Sequence, residues 1–206
     1  MKNAFMSSCQ LFFIYDTHCP WSYAATPLVD AIIQAFPEME LNLLHCAYYD
    51  GSANIGVKTT EQVEEVSGIT LADAYHQQRK IAADSTISAN LMAWVDHKLE
   101  EQSFEILKAL QALHFQQGLS LNSAEDFDSL IKDFKLSAPN KVFSSDKLSK
   151  DAEAIFADIG ELQEVIGTQS IPALLLAVDE ELVLLNHNYY LKDPQAIVEA
   201  IKLELN

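Results

Sequence analysis

The chain has 206 residues, 49% of them apolar, and carries 30 acidic against 13 basic side chains for a net charge of −17. That length suits one domain with an insertion and a sizeable core, and that charge repels nucleic acid and anionic membrane surfaces, so neither is expected as a partner. No run approaches the roughly 18 apolar residues of a membrane span, and the first apolar run, Leu11–Tyr15, is too short for a secretory leader; a cytoplasmic setting is expected.

Leu11-Phe12-Phe13-Ile14-Tyr15 is continuous and aromatic-rich, which predicts a strand buried on both faces. A helix follows with Pro20 in its first position and Tyr23, Ala24, Pro27, Leu28, Ala31, Ile32 and Ala35 on one face, Pro27 being a point for a kink. Leu41–Ala47 predicts a second strand, so the opening unit is a right-handed βαβ. From Thr59 to Ser149 the pattern is helical. Thr60–Ser67 ends at Gly68, and Thr70–Ala82 and Ile87–Leu99 follow. Ser103–Gln117 is capped by Gly118, and a further helix begins at Ser123 as N-cap. Asp151–Ile166 is again helical with Gly160 as a weak point. Ala173–Val178 and Glu181–Asn186 predict a hairpin turning at Asp179-Glu180. Asp193-Pro194 starts a last helix with Ile197, Val198, Ile201 and Leu205 inward. The division is therefore 8–52 (βαβ), 53–149 (helical insertion) and 150–206 (αββα) of an α/β protein with a central mixed sheet of about four strands.

The chemistry-bearing segment is Tyr15-Asp16-Thr17-His18-Cys19-Pro20-Trp21-Ser22-Tyr23, where Cys19 falls between the first strand and the first helix. A thiol at a helix N-terminus gains free N–H groups and the positive end of the macrodipole, which predicts a lowered thiol pKa. The amides of Trp21 and Ser22 and the Ser22 hydroxyl are the expected donors, and His18 is either a source of positive charge or a solvated loop residue. The three cysteines, at 9, 19 and 46, are odd in number and widely spaced, against a disulfide framework. Cys46, at the end of the second strand, is a candidate resolving thiol or a buried small hydrophobe. Cys9, upstream of the first strand at the opposite edge, is incidental. Tyr48, Tyr49 and Asp50 either line the site or form a plain loop. His76, His97 and His114 lack metal-ligand company, so no metal and no bound cofactor are expected.

Cys19-Pro20-Trp21-Ser22 paired with Ile171-Pro172 across a helical block resembles the thioredoxin-like DsbA family. The likeness is to its cytosolic FrnE-like branch of protein-disulfide isomerases, and it extends to Ile14-Tyr15-Asp16, Ala25–Val29 and Leu107–Gly118. The resemblance implies a thioredoxin-like fold, Cys19 as nucleophile, and Pro172 as a cis-proline facing it. It also implies Ile171 as a substrate contact, with His18, Pro20 and Trp21 around the substrate. The departure is Ser22, where that branch usually has a second cysteine. A mixed disulfide on Cys19 then awaits the substrate's own second thiol or glutathione as co-substrate. The expected partners are protein or small-molecule thiols and disulfides, with monomer and homodimer both left open. Two other functions fit the same residues. One is a glutathione-dependent transferase or isomerase of the kappa or 2-hydroxychromene-2-carboxylate isomerase type, whose nucleophile position holds serine. The other is a non-catalytic peptide- or thiol-binding module.

Overall fold

The computed structural model describes residues 9–144, 146–179 and 181–205. Its sheet contains β1 (Cys9–Tyr15), β2 (Glu40–His45), β3 (Ala173–Val178) and β4 (Glu181–Leu185), in the order β2-β1-β3-β4. β1 pairs parallel with β2 and antiparallel with β3, and β3 pairs antiparallel with β4. The central position of β1 explains its unbroken apolar sequence, because side chains alternate faces along a strand and both faces here are covered. Leu11, Phe13 and Tyr15 enter one core with residues of α1 (Pro20–Ala35) and α8 (Pro194–Glu204). Ile14 enters the other with Ile159 of α7 (Lys150–Ile166), Ala173 and Leu175.

Between β2 and α7 the described elements are helical, apart from an isolated Asp50–Asp84 bridge. They include α2 (Val57–Ser67), α3 (Asp73–Gln78), α4 (Thr86–Leu99), α5 (Ser103–Phe115) and α6 (Asp128–Asp133). Helices α2 and α5 pack on α1, while α4 packs on α7. The block is also tied to α1 by hydrogen bonds, Thr26 Oγ1 to Gln111 Oε1 at 2.8 Å and Gln116 Nε2 to the Tyr23 hydroxyl at 2.9 Å. Gly118 follows α5 at φ +72°, and a Cβ there would stand 2.6 Å from the Ala74 carbonyl carbon. Only glycine fits both that conformation and that approach.

Several elements differ from the sequence expectation for local reasons. α1 runs uninterrupted through Pro27, which is exposed, as is Ala35; its inward face is Ala24, Ala25, Leu28, Val29, Ala31 and Ile32. The helix expected over 70–82 shrinks to Asp73–Gln78, because the preceding amides bond elsewhere: Leu71 N–H to Glu64 Oε1 and Ala72 N–H to the Phe115 carbonyl. Ser123 makes no side-chain cap; a 3₁₀ turn over Ala124–Phe127 precedes α6, and the Asp126 carboxylate accepts from the Ser120 hydroxyl instead. α7 passes through Gly160 without a break, capped at its start by the Ser149 hydroxyl, which accepts from Ala152 N–H. Leu205 lies beyond the end of α8 and is exposed. Cys9 is the first residue of β1 itself, opposite Val178. Of the expected hairpin tip, Asp179 has φ +54°, and Glu180 lies outside the described residues.

Candidate active site

β1 ends at Tyr15, and the next four residues turn into α1. Cys19 N–H donates to the Asp16 carbonyl at 3.1 Å, and Cys19 is the N-cap of α1 with Pro20 in the first turn. Proline suits that position because its missing N–H would have had no helical partner. Cys19 is 4% exposed, yet it forms part of the floor of an open cavity of about 590 Å³. Trp21, Tyr48, Tyr49, Thr59, Gln169, Ser170 and Ile171 line the rest. The Ile171–Pro172 peptide is cis. Ile171 faces the Cys19 cavity, whereas Pro172 lines a separate cavity of about 420 Å³ with Thr168, Ser170 and Leu184.

The sulfur sits between opposing influences. Burial pushes the Cys19 thiol up; the Ser22 hydroxyl and the backbone N–H groups of Ser22 and Trp21 pull it down, and the Asp16 carboxylate pushes it up again. The net direction is upward, which corrects the expectation of a lowered thiol. The helix start does supply donors to the sulfur, but the sequence pattern could not show that the same sulfur is almost wholly desolvated.

His18 is neither solvated nor in the cavity. Its exposure is 0%, its Nε2–H donates to the Ser120 carbonyl at 2.9 Å, and its Nδ1 lies 3.7 Å from Asp16 Oδ1. It stacks edge-on against His114 at 4.6 Å between ring centroids. It therefore braces the active-site turn against the chain leaving α5, and the substrate role expected for it has no geometry here. Pro20 is buried as well. Of the five expected substrate contacts, Trp21 and Ile171 line the Cys19 cavity.

Sequence reasoning missed a buried polar shell behind the cysteine. Asp16, at 0% exposure, accepts from His18 N–H at 2.8 Å and from Tyr48 N–H at 2.7 Å. Burial alone would raise its carboxyl; the facing His45 and His18 rings and the Ser85 hydroxyl outweigh it and hold the group well below the usual carboxylate range. His45 accepts from Ala47 N–H at Nδ1 and meets Thr17 Oγ1 at Nε2, 2.8 Å away. Burial holds its ring neutral, with a pKa lowered to about 4. His114 donates from Nδ1 to the Leu119 carbonyl at 2.7 Å, and burial, with His18 beside it, pulls its pKa well down. The signal for Asp16 was a carboxylate at the end of a buried strand, one turn before the cysteine; a buried charge in that place must be hydrogen-bonded.

Cys46 follows β2, its N–H bonded to the Tyr15 carbonyl at 2.8 Å, so the parallel pairing brings it to the same sheet edge as Cys19. Burial first, then the Asp16 and Cys19 charges, push its thiol far up. All three cysteines are free. Among the described residues, no group of three His, Cys, Asp or Glu side chains is placed to hold a metal ion, and no helix is long and apolar enough to cross a membrane.

No family model and no curated protein matches the chain in sequence. Solved structures do match its shape. A cytosolic disulfide reductase, DsbM, from Pseudomonas aeruginosa is similar at a TM-score of 0.80 and 20% identity, over 95% of this chain and 98% of that one. The same protein with GSH superposes at 0.79 and 19% identity, over 95% and 98%. A periplasmic thioredoxin-like protein from Salmonella enterica serovar Typhimurium gives 0.56 at 13% identity, over 98% and 87%. The chain thus has a thioredoxin-like fold.

Proposed function

We propose that this chain is a thiol–disulfide oxidoreductase or isomerase of DsbA type that works through the single nucleophile Cys19. The observation that carries the reading is Cys19 in the floor of an open cavity at the start of α1, with Ile171 lining the same cavity. The Cys19 thiolate attacks one sulfur of a disulfide RS–SR′. A Cys19–SR bond forms, the S–S bond breaks, and R′S⁻ leaves and takes up a proton. With Ser22 in place of a second cysteine, a thiolate from outside the motif must attack the mixed disulfide and free Cys19. If that thiol belongs to the substrate, disulfides are rearranged with no net electron transfer. If it is glutathione, two glutathione thiols are oxidised to their disulfide for each substrate disulfide reduced to two thiols. The structurally similar reductase solved with GSH supports glutathione as co-substrate. Protein or small-molecule disulfides are the other partners.

Cys46 is not the resolving thiol in this reading. Its proximity fits, but burial and the Asp16 carboxylate keep it protonated, and a thiol attacks only as thiolate. Residues 53–149 are taken as an insertion into one unit made of 8–52 and 150–206, working in the cytoplasm.

The raised Cys19 thiol favours a second reading, a thiol- or peptide-binding module without turnover. Turnover separates the two. Reduction of a glutathionylated peptide by glutathione is accelerated by the protein, is abolished in Cys19→Ala, and survives in Cys46→Ala. Equal rates with and without the protein would leave the binding module.

A further inference from the structure

The Asp16 carboxylate carries no step in that exchange, yet it is fully buried beside the nucleophile. Its two oxygens serve two different segments. Oδ1 accepts the His18 N–H at 2.8 Å, inside the active-site turn, and Oδ2 accepts the Tyr48 N–H at 2.7 Å, in the loop after β2. Tyr48 and Tyr49 form one wall of the cavity whose floor holds Cys19. One carboxylate therefore joins the floor to the wall. Charge-assisted bonds of this kind, at these lengths and away from water, are the strong ones.

We propose that Asp16 is a positioning residue for Cys19, clamping the active-site turn to the Tyr48–Tyr49 wall and setting a fixed negative charge against the sulfur. The proposal rests on the reading of Cys19 as the reacting group. The charge is well held. The groups around Asp16 are His18 from its own turn, His45 from β2, Cys46 and Tyr49 from the loop beyond, Tyr15 from β1, and His114 from α5. Of these, the cysteine and tyrosines are neutral near pH 7 and burial keeps His45 and His114 neutral, while the His18 ring faces the carboxylate with Nδ1 3.7 Å from Oδ1. Asparagine cannot reproduce the clamp. Both carboxylate oxygens accept from N–H groups, and an amide offers one acceptor and one donor, so one N–H loses its partner.

The test is the pH profile of Cys19 alkylation by iodoacetamide in the full chain, followed on the peptide that contains Cys19. Alkylation reports the thiol whether or not the protein exchanges disulfides, so the outcome is independent of the functional reading above. In Asp16→Asn the midpoint moves to lower pH and the rate at pH 7 rises roughly 3- to 10-fold, the effect of removing one nearby negative charge. An unchanged midpoint overturns the proposal. Amide hydrogen exchange on the unaltered protein tests the clamp even if the variant fails to fold. His18 and Tyr48 N–H should exchange at least 10-fold more slowly than Ser52 N–H, whose acceptor, Asp50 Oδ1, is exposed. Comparable exchange at the three sites overturns the proposal too.

Discussion

The two ends of β1 each carry a cysteine, and their surroundings are opposite. Cys9, at the start of the strand, borders an apolar cavity of about 450 Å³ lined by Phe36, Met39, Val178 and Leu205 among others. Burial alone raises its thiol. Cys19, just past the other end, is the more deeply buried of the two, and its thiol is raised as well. It alone has hydroxyl and amide donors aimed at the sulfur, and behind it lie Asp16, Thr17, His18, Ser22 and His45, none more than 3% exposed. Exposure therefore does not pick the nucleophile. What separates the two thiols is whether a negative charge, once formed, meets donors that can hold it.

The comparison breaks most sharply in activity. Cys19→Ala should remove glutathione-dependent disulfide reduction altogether, and Cys9→Ala should leave it within about twofold; a large loss from Cys9→Ala would erase the distinction between the ends.

The next largest contrast is with acid. Unfolded His45 titrates near 6.5, but folded His45 is held neutral down to about 4, so between these values the unfolded chain binds more protons. Its stabilising contribution is complete above pH 6.5 and lost as pH falls to 4, on the order of 3 kcal/mol. His114 acts in the same sense. Asp16, whose carboxyl is lowered, contributes stability that disappears at still lower pH. Urea midpoints at pH 7.5 and 4.5 measure the loss, and His45→Gln should flatten the difference. At the Cys9 end, Met39→Ala should cost about 2 kcal/mol at both pH values, since it removes only buried apolar surface. A pH-dependent Met39→Ala effect would mean the polar shell extends the whole length of the strand. The smallest effect is expected at the tether to the helical block. Thr26→Val should cost about 1 kcal/mol, because it leaves the Gln111 oxygen without its 2.8 Å partner in a buried setting.

Much of this contrast was legible in the sequence and part was not. The apolar runs Leu11–Tyr15 and Ala173–Val178 report burial directly, so these strands and a mixed sheet of about four strands could be anticipated. Cys19 stood out because a thiol between strand and helix is a local pattern, whereas Trp21 and Ile171 as substrate contacts came only with the family resemblance. Asp16 to Tyr48, Thr17 to His45 and His18 to Ser120 are pairs that only the folded chain brings together. No periodicity marks them, and a buried histidine reads like an exposed one until its neighbours are known. The same blindness explains the thiol direction: the donors at the helix start were visible, and the desolvation opposing them was not.

Cys19 is the sulfur expected to exchange. Incubation of the reduced full-length chain with glutathione disulfide, followed by mass mapping of the three cysteine peptides, tests it directly. One glutathionyl group on Cys19, formed faster as pH rises above neutrality, is the predicted result. Glutathione on Cys9 or Cys46 with Cys19 left free would contradict it.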